Sequence, residues 1–145
     1  MKIDNAQKIG YNPYFLLQKI SLPVLSNELQ KLVAPVKNSN EDILHYHNYS
    51  VAQNALRKFP FYSAANIDGS LFKKITRKDI FPKGRDKWLK DKRIAYAHQW
   101  GYELYGAPHS DFDKGHMTKR EDVQWGSTNE SAAEAARTTF YYTNA

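Results

Sequence analysis

No cysteine occurs anywhere in the 145-residue chain. Disulfides, thiolate metal sites and a cysteine nucleophile are therefore excluded, and either redox compartment stays open. No apolar run approaches the roughly 18 residues that cross a bilayer as a helix. The opening stretch "MKIDNAQKIGYNPYFLLQK" lacks a continuous apolar core, so no signal peptide is read there and no compartment is assigned. Walker-type phosphate loops, HExxH and G-x-S-x-G are missing, which argues against P-loop hydrolases, zinc proteases and α/β-hydrolases. There is no internal repeat and no low-complexity run. Methionine is scarce, with two residues against ten tyrosines and seven phenylalanines. That balance points to a strand-bearing protein, because aromatic side chains pack well on a pleated surface.

What is present is positive charge and a core. The chain carries 21 Lys and Arg against 15 Asp and Glu, a formal net charge of +6. Such a surface attracts polyanions, nucleic acid first among them; an anionic membrane would satisfy the same arithmetic, but no membrane association is assigned. With 41% hydrophobic residues the chain can bury one core, and its length suits one domain.

Residues 1–42 read as an irregular lead-in packed on the domain. Gly10-Tyr11-Asn12-Pro13 is turn chemistry, and Pro23 and Pro35 interrupt the apolar stretches. A short helix is expected from Ser26 in "SNELQKLVA". From residue 43 the pattern tightens. "FPFYSAANI" is expected as a buried strand, Asp68-Gly69 as its hairpin turn and "SLFKKITRKD" as its partner. The next loop, "TRKDIFPKGRDKWLKDKR", holds eight basic and three acidic residues interleaved with Phe81 and Trp88. Most such runs are solvated, yet aromatics among the cations favour a surface that tracks phosphates. "RIAYAHQWGYELYG" fits helix or strand equally. Ser127-x-x-Glu130 predicts a capping box for the helix of "ESAAEAAR", and "TTFYYTN" predicts a return to strand.

The chemistry concentrates at Asp113-Lys114-Gly115-His116-Met117. Gly115 admits unusual backbone or the close approach of a ligand. His116 is a base mostly neutral at pH 7. Lys114, Lys119 and Arg120 flank it with charge suited to an anionic transition state, and Asp113, Glu121 and Asp122 would orient those cations or assist a hydrated divalent ion. A base beside cations is the layout that water attack on a phosphodiester requires. Spacing alone supports only a charged turn in a basic globular domain.

The ordered blocks go further. "FDKGHMTKREDVQWG" followed by "AAEAARTTFYYTNA" resembles the DNA/RNA non-specific endonuclease family, and "YHNYSVAQNALRKFPFYSAANIDG" and "GRDKWLKDKRI" upstream are similar to the same branch. The resemblance covers roughly residues 43–145, with a weaker echo in "GYNPYFL". It implies an α+β domain of the ββα-metal (His-Me finger) class and hydrolysis of DNA and RNA with little base selectivity. His116 matches the general base, and Asp113 and Gly115 match structural positions of the signature. Lys114 stands where the family carries arginine and lacks the planar bidentate fork. Arg120 and Arg85 match cations taken as phosphate contacts, and Asn144 matches an asparagine that supports the site.

The family's divalent ion, usually magnesium, is held by an asparagine on the helix that follows the Thr-Asn block. That ligand is expected beyond Ala145, so Asn144 is not taken as a metal ligand. The resemblance therefore implies a nuclease domain incomplete at its C-terminus, in a family whose members are often exported. DNA and RNA are the expected partners; an inhibitor protein, a missing C-terminal half and a homodimer remain open. The alternatives are a catalytically incompetent relic that binds nucleic acid, and an interaction module. Elsewhere, His45 and His47 share one face if their segment is a strand, a spacing compatible with metal binding, but no acidic ligand follows. His98 and His109 are read as surface or packing residues, and Trp88, Trp100 and Trp125 as core or loop anchors.

Overall fold

The computed structural model describes residues 10–106 and 111–145, and its centre is a three-stranded antiparallel sheet. The strands β1 (Leu44–His45), β2 (Tyr49–Gln53) and β3 (Pro60–Ala65) lie in chain order, so each pairs with its sequence neighbour. Tyr46 N–H donates to Tyr49 O at 2.9 Å and closes the first reversal. Asn48 adopts φ 67° inside that turn, a left-handed conformation asparagine tolerates better than most residues. Its carboxamide donates to Val123 O and Trp125 O at 2.8 and 3.1 Å, which pins the hairpin tip to the later chain. In the second connection Asn54 Oδ1 accepts from the N–H groups of Leu56 and Arg57.

All five residues of β2 are buried, so the strand has protein on both faces. Tyr49 and Val51 join Leu44, Tyr46, Ile94, Val123 and Ala135 in the main core. Ser50 and Ala52, alternating with them, meet the lead-in. Tyr11 N–H donates to Ser50 Oγ at 2.8 Å, and Ala52 lines a cavity with Leu22, Val24 and Val33. Asn12 and Asn66 exchange two hydrogen bonds across the same junction. Between residues 10 and 42 the chain is irregular except for α1 (Asn27–Gln30), one turn capped by Ser26 Oγ.

Four expectations are corrected. The buried strand is β2; β3 is half-buried along its length. "SLFKKITRKD" is not its partner. Asp68 Oδ1 accepts from Ser70 N–H, Ser70 Oγ–H and Leu71 N–H, a local turn that takes the chain off the sheet. Thr76 and Asp79 then form a capping box that starts α2 (Arg77–Ile80), so local capping chemistry overrides the loose alternation. The long helix α4 (Asn129–Thr138) exists, but its box is Thr128 with Ser131, one residue later than read. Consecutive Ser and Thr satisfy the same chemistry, so sequence did not fix the frame. After α4 the expected strand reduces to a single bridge, Leu89 with Tyr141, and a 3₁₀ turn at Tyr142–Asn144. "RIAYAHQWGYELYG" holds a 3₁₀ turn at Tyr96–His98 and α3 (Tyr102–Tyr105). The result is a small α+β fold in which α4 buries Ala132, Ala135 and Ala136.

A polar network crosses the main core. Asp91, 3% exposed, accepts from the Tyr46 hydroxyl at 2.6 Å and from Arg93 Nη2 at 2.7 Å. Arg93 also donates to His45 O at 2.7 Å and lies over the Tyr46 ring. Burial pushes the Asp91 carboxyl up, but hydrogen bonds and charge from Arg93 outweigh it and hold it below its usual range. The stability this pairing contributes is present above the ordinary carboxylate pKa and is lost as pH falls through the lowered folded value. Arg93→Ala strands a buried charge. Because Arg93 keeps 32% of its side chain exposed, we expect a loss of about 3 kcal/mol, the low end for a broken buried pair. Urea unfolding of wild type and variant at pH 7 measures it; equal midpoints would contradict the assignment.

Candidate active site

His116 is half-buried and rests against two aromatic rings. Its centroid lies 4.7 Å from that of Trp88 and 4.7 Å from that of Phe140, the latter edge-on at 89°. Phe140 follows α4 and is 2% exposed. It packs with Ile75, Ile80, Ala132 and Ala136, the cluster in which α2 meets α4. Phe81, at the end of α2, meets Phe140 edge-on at 4.8 Å. The small alanines of α4 let α2 approach, and that contact sets the shelf under the imidazole. His116 Nε2 is enclosed and has no hydrogen-bond partner among the described residues.

The loop after His116 is fixed by one residue. Met117 N–H donates to Asn144 O at 2.8 Å, and Thr118 N–H donates to Asn144 Oδ1 at 2.9 Å. Asn144 Nδ2 donates to Thr118 O and to Thr139 O, each at 3.0 Å. Ser63 of β3 reaches the same cluster: its hydroxyl pairs with Thr118 Oγ1 at 2.5 Å and lies 3.5 Å from Asn144 Oδ1. Asn144 is 0% exposed. Both N–H donors and the oxygen of its carboxamide are engaged with protein.

The charges around His116 act in both directions. Burial pushes its pKa below the ordinary histidine value, and Arg77 lowers it further, while Asp86 and Glu121 raise it and Arg120 lowers it. The net direction is down, so the ring is neutral at pH 7. Arg77 Nη1 pairs with Asp86 Oδ2 at 2.9 Å. The Arg120 side chain is 15% exposed; it donates Nη1–H to Ile75 O at 3.0 Å and pairs through Nη2 with Glu121. Burial pushes the Glu121 carboxyl up, but hydrogen bonds from its own backbone and from Arg120 outweigh it and hold it low.

The structure brings His116, Arg120 and Asn144 into one neighbourhood. Asp113, Lys114 and Gly115 lie on the exposed segment before the histidine. An added Cβ on Gly115 would meet nothing within 4 Å, and its φ is not left-handed. Neither backbone strain nor crowding by the chain therefore requires glycine at that position. Arg85 is exposed and lines a cavity of about 530 Å³ with Lys83, Lys87 and Ile80. Sequence reading missed Arg77, hidden in a run of like charges; the signal was its place directly after Thr76 in the Thr-x-x-Asp box. Trp88 packs on the Phe140 cluster as a core anchor does, and its ring also meets the imidazole.

Among the described residues no group of three or more His, Asp or Glu side chains converges on a common point. A divalent ion there would need water or further ligands to complete its shell. His45 is engaged by Ser50 Oγ and Glu41 at 2.8 and 3.1 Å. His98 is half-buried, and His109 lies outside the described residues. Trp100 and Trp125 donate Nε1–H to Arg57 O and Asn66 O, as loop anchors do.

The family model described as DNA/RNA non-specific endonuclease matches residues 25–145. A protein of Sinorhizobium fredii (strain NBRC 101917 / NGR234), named uncharacterized protein y4fB, is 38% identical over 143 residues, covering 93% of this chain and 20% of that protein. The chain thus spans about a fifth of the length of the curated relative it matches.

Asn144→Ala leaves the Thr118 amide and two carbonyls without partners. Stranded buried groups cost about 1–3 kcal/mol each when water cannot replace the bond. We expect hydrogen exchange at the Thr118 amide to accelerate far more than at β2 amides. Uniform acceleration would show a global stability role; no change would show that Asn144 does not hold the loop.

Proposed function

The chain belongs to the DNA/RNA non-specific endonuclease family, and from that membership we propose that it carries the site of an endonuclease hydrolysing phosphodiester bonds in DNA and RNA with little sequence specificity. The observation that carries this reading is a neutral histidine on a fixed aromatic shelf beside cations. In this reading the fold is of the ββα-metal class and His116 is the general base. Its Nε2 is enclosed against the shelf, so Nδ1 is the nitrogen we assign to take the proton. The proton then resides on Nε2 in the resting tautomer, which leaves the Nδ1 lone pair for water.

As that water passes its proton to Nδ1, its oxygen bonds to phosphorus, the bond from phosphorus to the leaving oxygen breaks, and that oxygen takes a proton from solvent to leave as an alcohol. Lys114, Arg120 and Arg85 contact phosphate, and Asp113, Gly115 and Asn144 support the loop. Arg120 serves partly through position, since Ile75 O and Glu121 already engage its guanidinium. Phosphate contacts from Lys and Arg carry no direct base readout, which accounts for the low selectivity. The family is in general divalent-metal dependent, and magnesium is the ion we expect. When bound it would supply charge stabilisation to the phosphorane-like transition state.

Plasmid and RNA digestion with magnesium, wild type against His116→Ala, tests the reading. General-base assistance predicts a fall of about 10²–10⁴-fold in the variant on both substrates. Equal residual cleavage in the two proteins would remove His116 from the chemistry and favour a polyanion-binding role.

A further inference from the structure

Of the cations near His116, Arg77 has no part in the reading above, yet the geometry sets it apart. It opens α2, whose capping box fixes the first turn. Arg120 donates to Ile75 O, tying the chain two residues before Arg77 to the loop that carries His116. Phe140 touches both the imidazole and Phe81 at the other end of α2. Arg77 itself is solvent-facing, with 64% of its side chain exposed, and it pairs with Asp86 at 2.9 Å, whose side chain is 28% exposed. An exposed pair of this kind is weak, roughly 0–1 kcal/mol, because water competes for both partners. Asp86 also borders the cavity of about 530 Å³ whose rim carries Lys83, Arg85 and Lys87. An acidic group is thus placed between an arginine and three further cations, where a polyanion would approach.

We propose that Arg77 is a further phosphate contact for the substrate strand, and that Asp86 holds its place in the free protein. The inference rests on the nuclease reading for the identity of the strand. A backbone phosphate offers the guanidinium the same paired acceptor oxygens as the carboxylate, with bidentate geometry available to both. The exchange costs little on the protein side, since Asp86 returns to water among Lys83, Arg85 and Lys87. The free protein is kept from leaving an unpaired arginine beside its base, and the strand is drawn through the basic loop toward His116.

Binding without cleavage tests this separately from the chemistry. A fluorescent DNA duplex is titrated with the intact chain in EDTA at a series of salt concentrations, and affinity is read by anisotropy. Arg77→Gln should weaken binding to all sequences alike and reduce the salt slope by about 0.9, the loss of one phosphate contact. Asp86→Asn should tighten binding, and the gain should vanish in the double variant. An unchanged slope in Arg77→Gln, or a gain that persists in the double variant, overturns the proposal. Should Arg77→Gln fail to fold by circular dichroism, Asp86→Asn decides alone: tightening supports the exchange, and unchanged or weaker binding contradicts it. Equal cleavage by wild type and His116→Ala would overturn the nuclease reading while leaving this binding result standing.

Discussion

The carboxamide of Asn144 is the interaction on which the site depends. One buried side chain, with both donors and its oxygen engaged, connects the loop after His116 with the end of α4 at Thr139, and Ser63 of β3 joins the cluster through Thr118. No apolar contact could substitute, because the groups it serves are backbone N–H and C=O, which must be paired when buried. The residue therefore converts core rigidity into the position of an imidazole. Its neighbour Thr143 does similar work toward the sheet, sharing the Tyr46 hydroxyl with Asp91.

A second constraint follows from putting a histidine on a cationic surface. Positive charge gathers polyanions but also disfavours protonation of a nearby histidine, and here both effects point the same way. Burial on Trp88 and Phe140 and the field of Arg77 keep the ring neutral, while Asp86 and Glu121 limit how far its basicity falls. A base needs that compromise: deprotonated at working pH, yet strong enough to take a proton from water. The weakly held Arg77–Asp86 pair sits within it, so a polyanion displacing Asp86, as proposed, would also change the balance felt by His116.

Much of this was legible in the sequence, for identifiable reasons. The Gly-His loop, the alanine-rich helix and the Thr-Asn block are local signals, and ordered together they pointed to the family. Asp68-Gly69 misled, because an Asx turn and a hairpin turn share composition while only backbone geometry separates them. The capping frame slipped by one residue since Ser127 and Thr128 offer the same chemistry. The buried β2 was hidden by its polar members: Ser50 and Gln53 are buried with hydrogen bonds that only tertiary structure supplies. Arg77 and Trp88 were visible as residue types, but their nearness to His116 arises from α2 packing on α4 and from the bridge of Leu89 to Tyr141, at separations no local pattern encodes.

NMR titration of the His116 ring beside the pH dependence of kcat/KM tests most directly the proposal that this packing holds it as a neutral base. Because the folded pKa lies below the ordinary value of 6.5, the ring should lose its proton below that pH. Cleavage should rise over the same window and stay high above it, with both curves shifting upward together in Arg77→Gln. A ring that titrates at or above the ordinary histidine value, or a cleavage limb that does not follow it, would contradict the account.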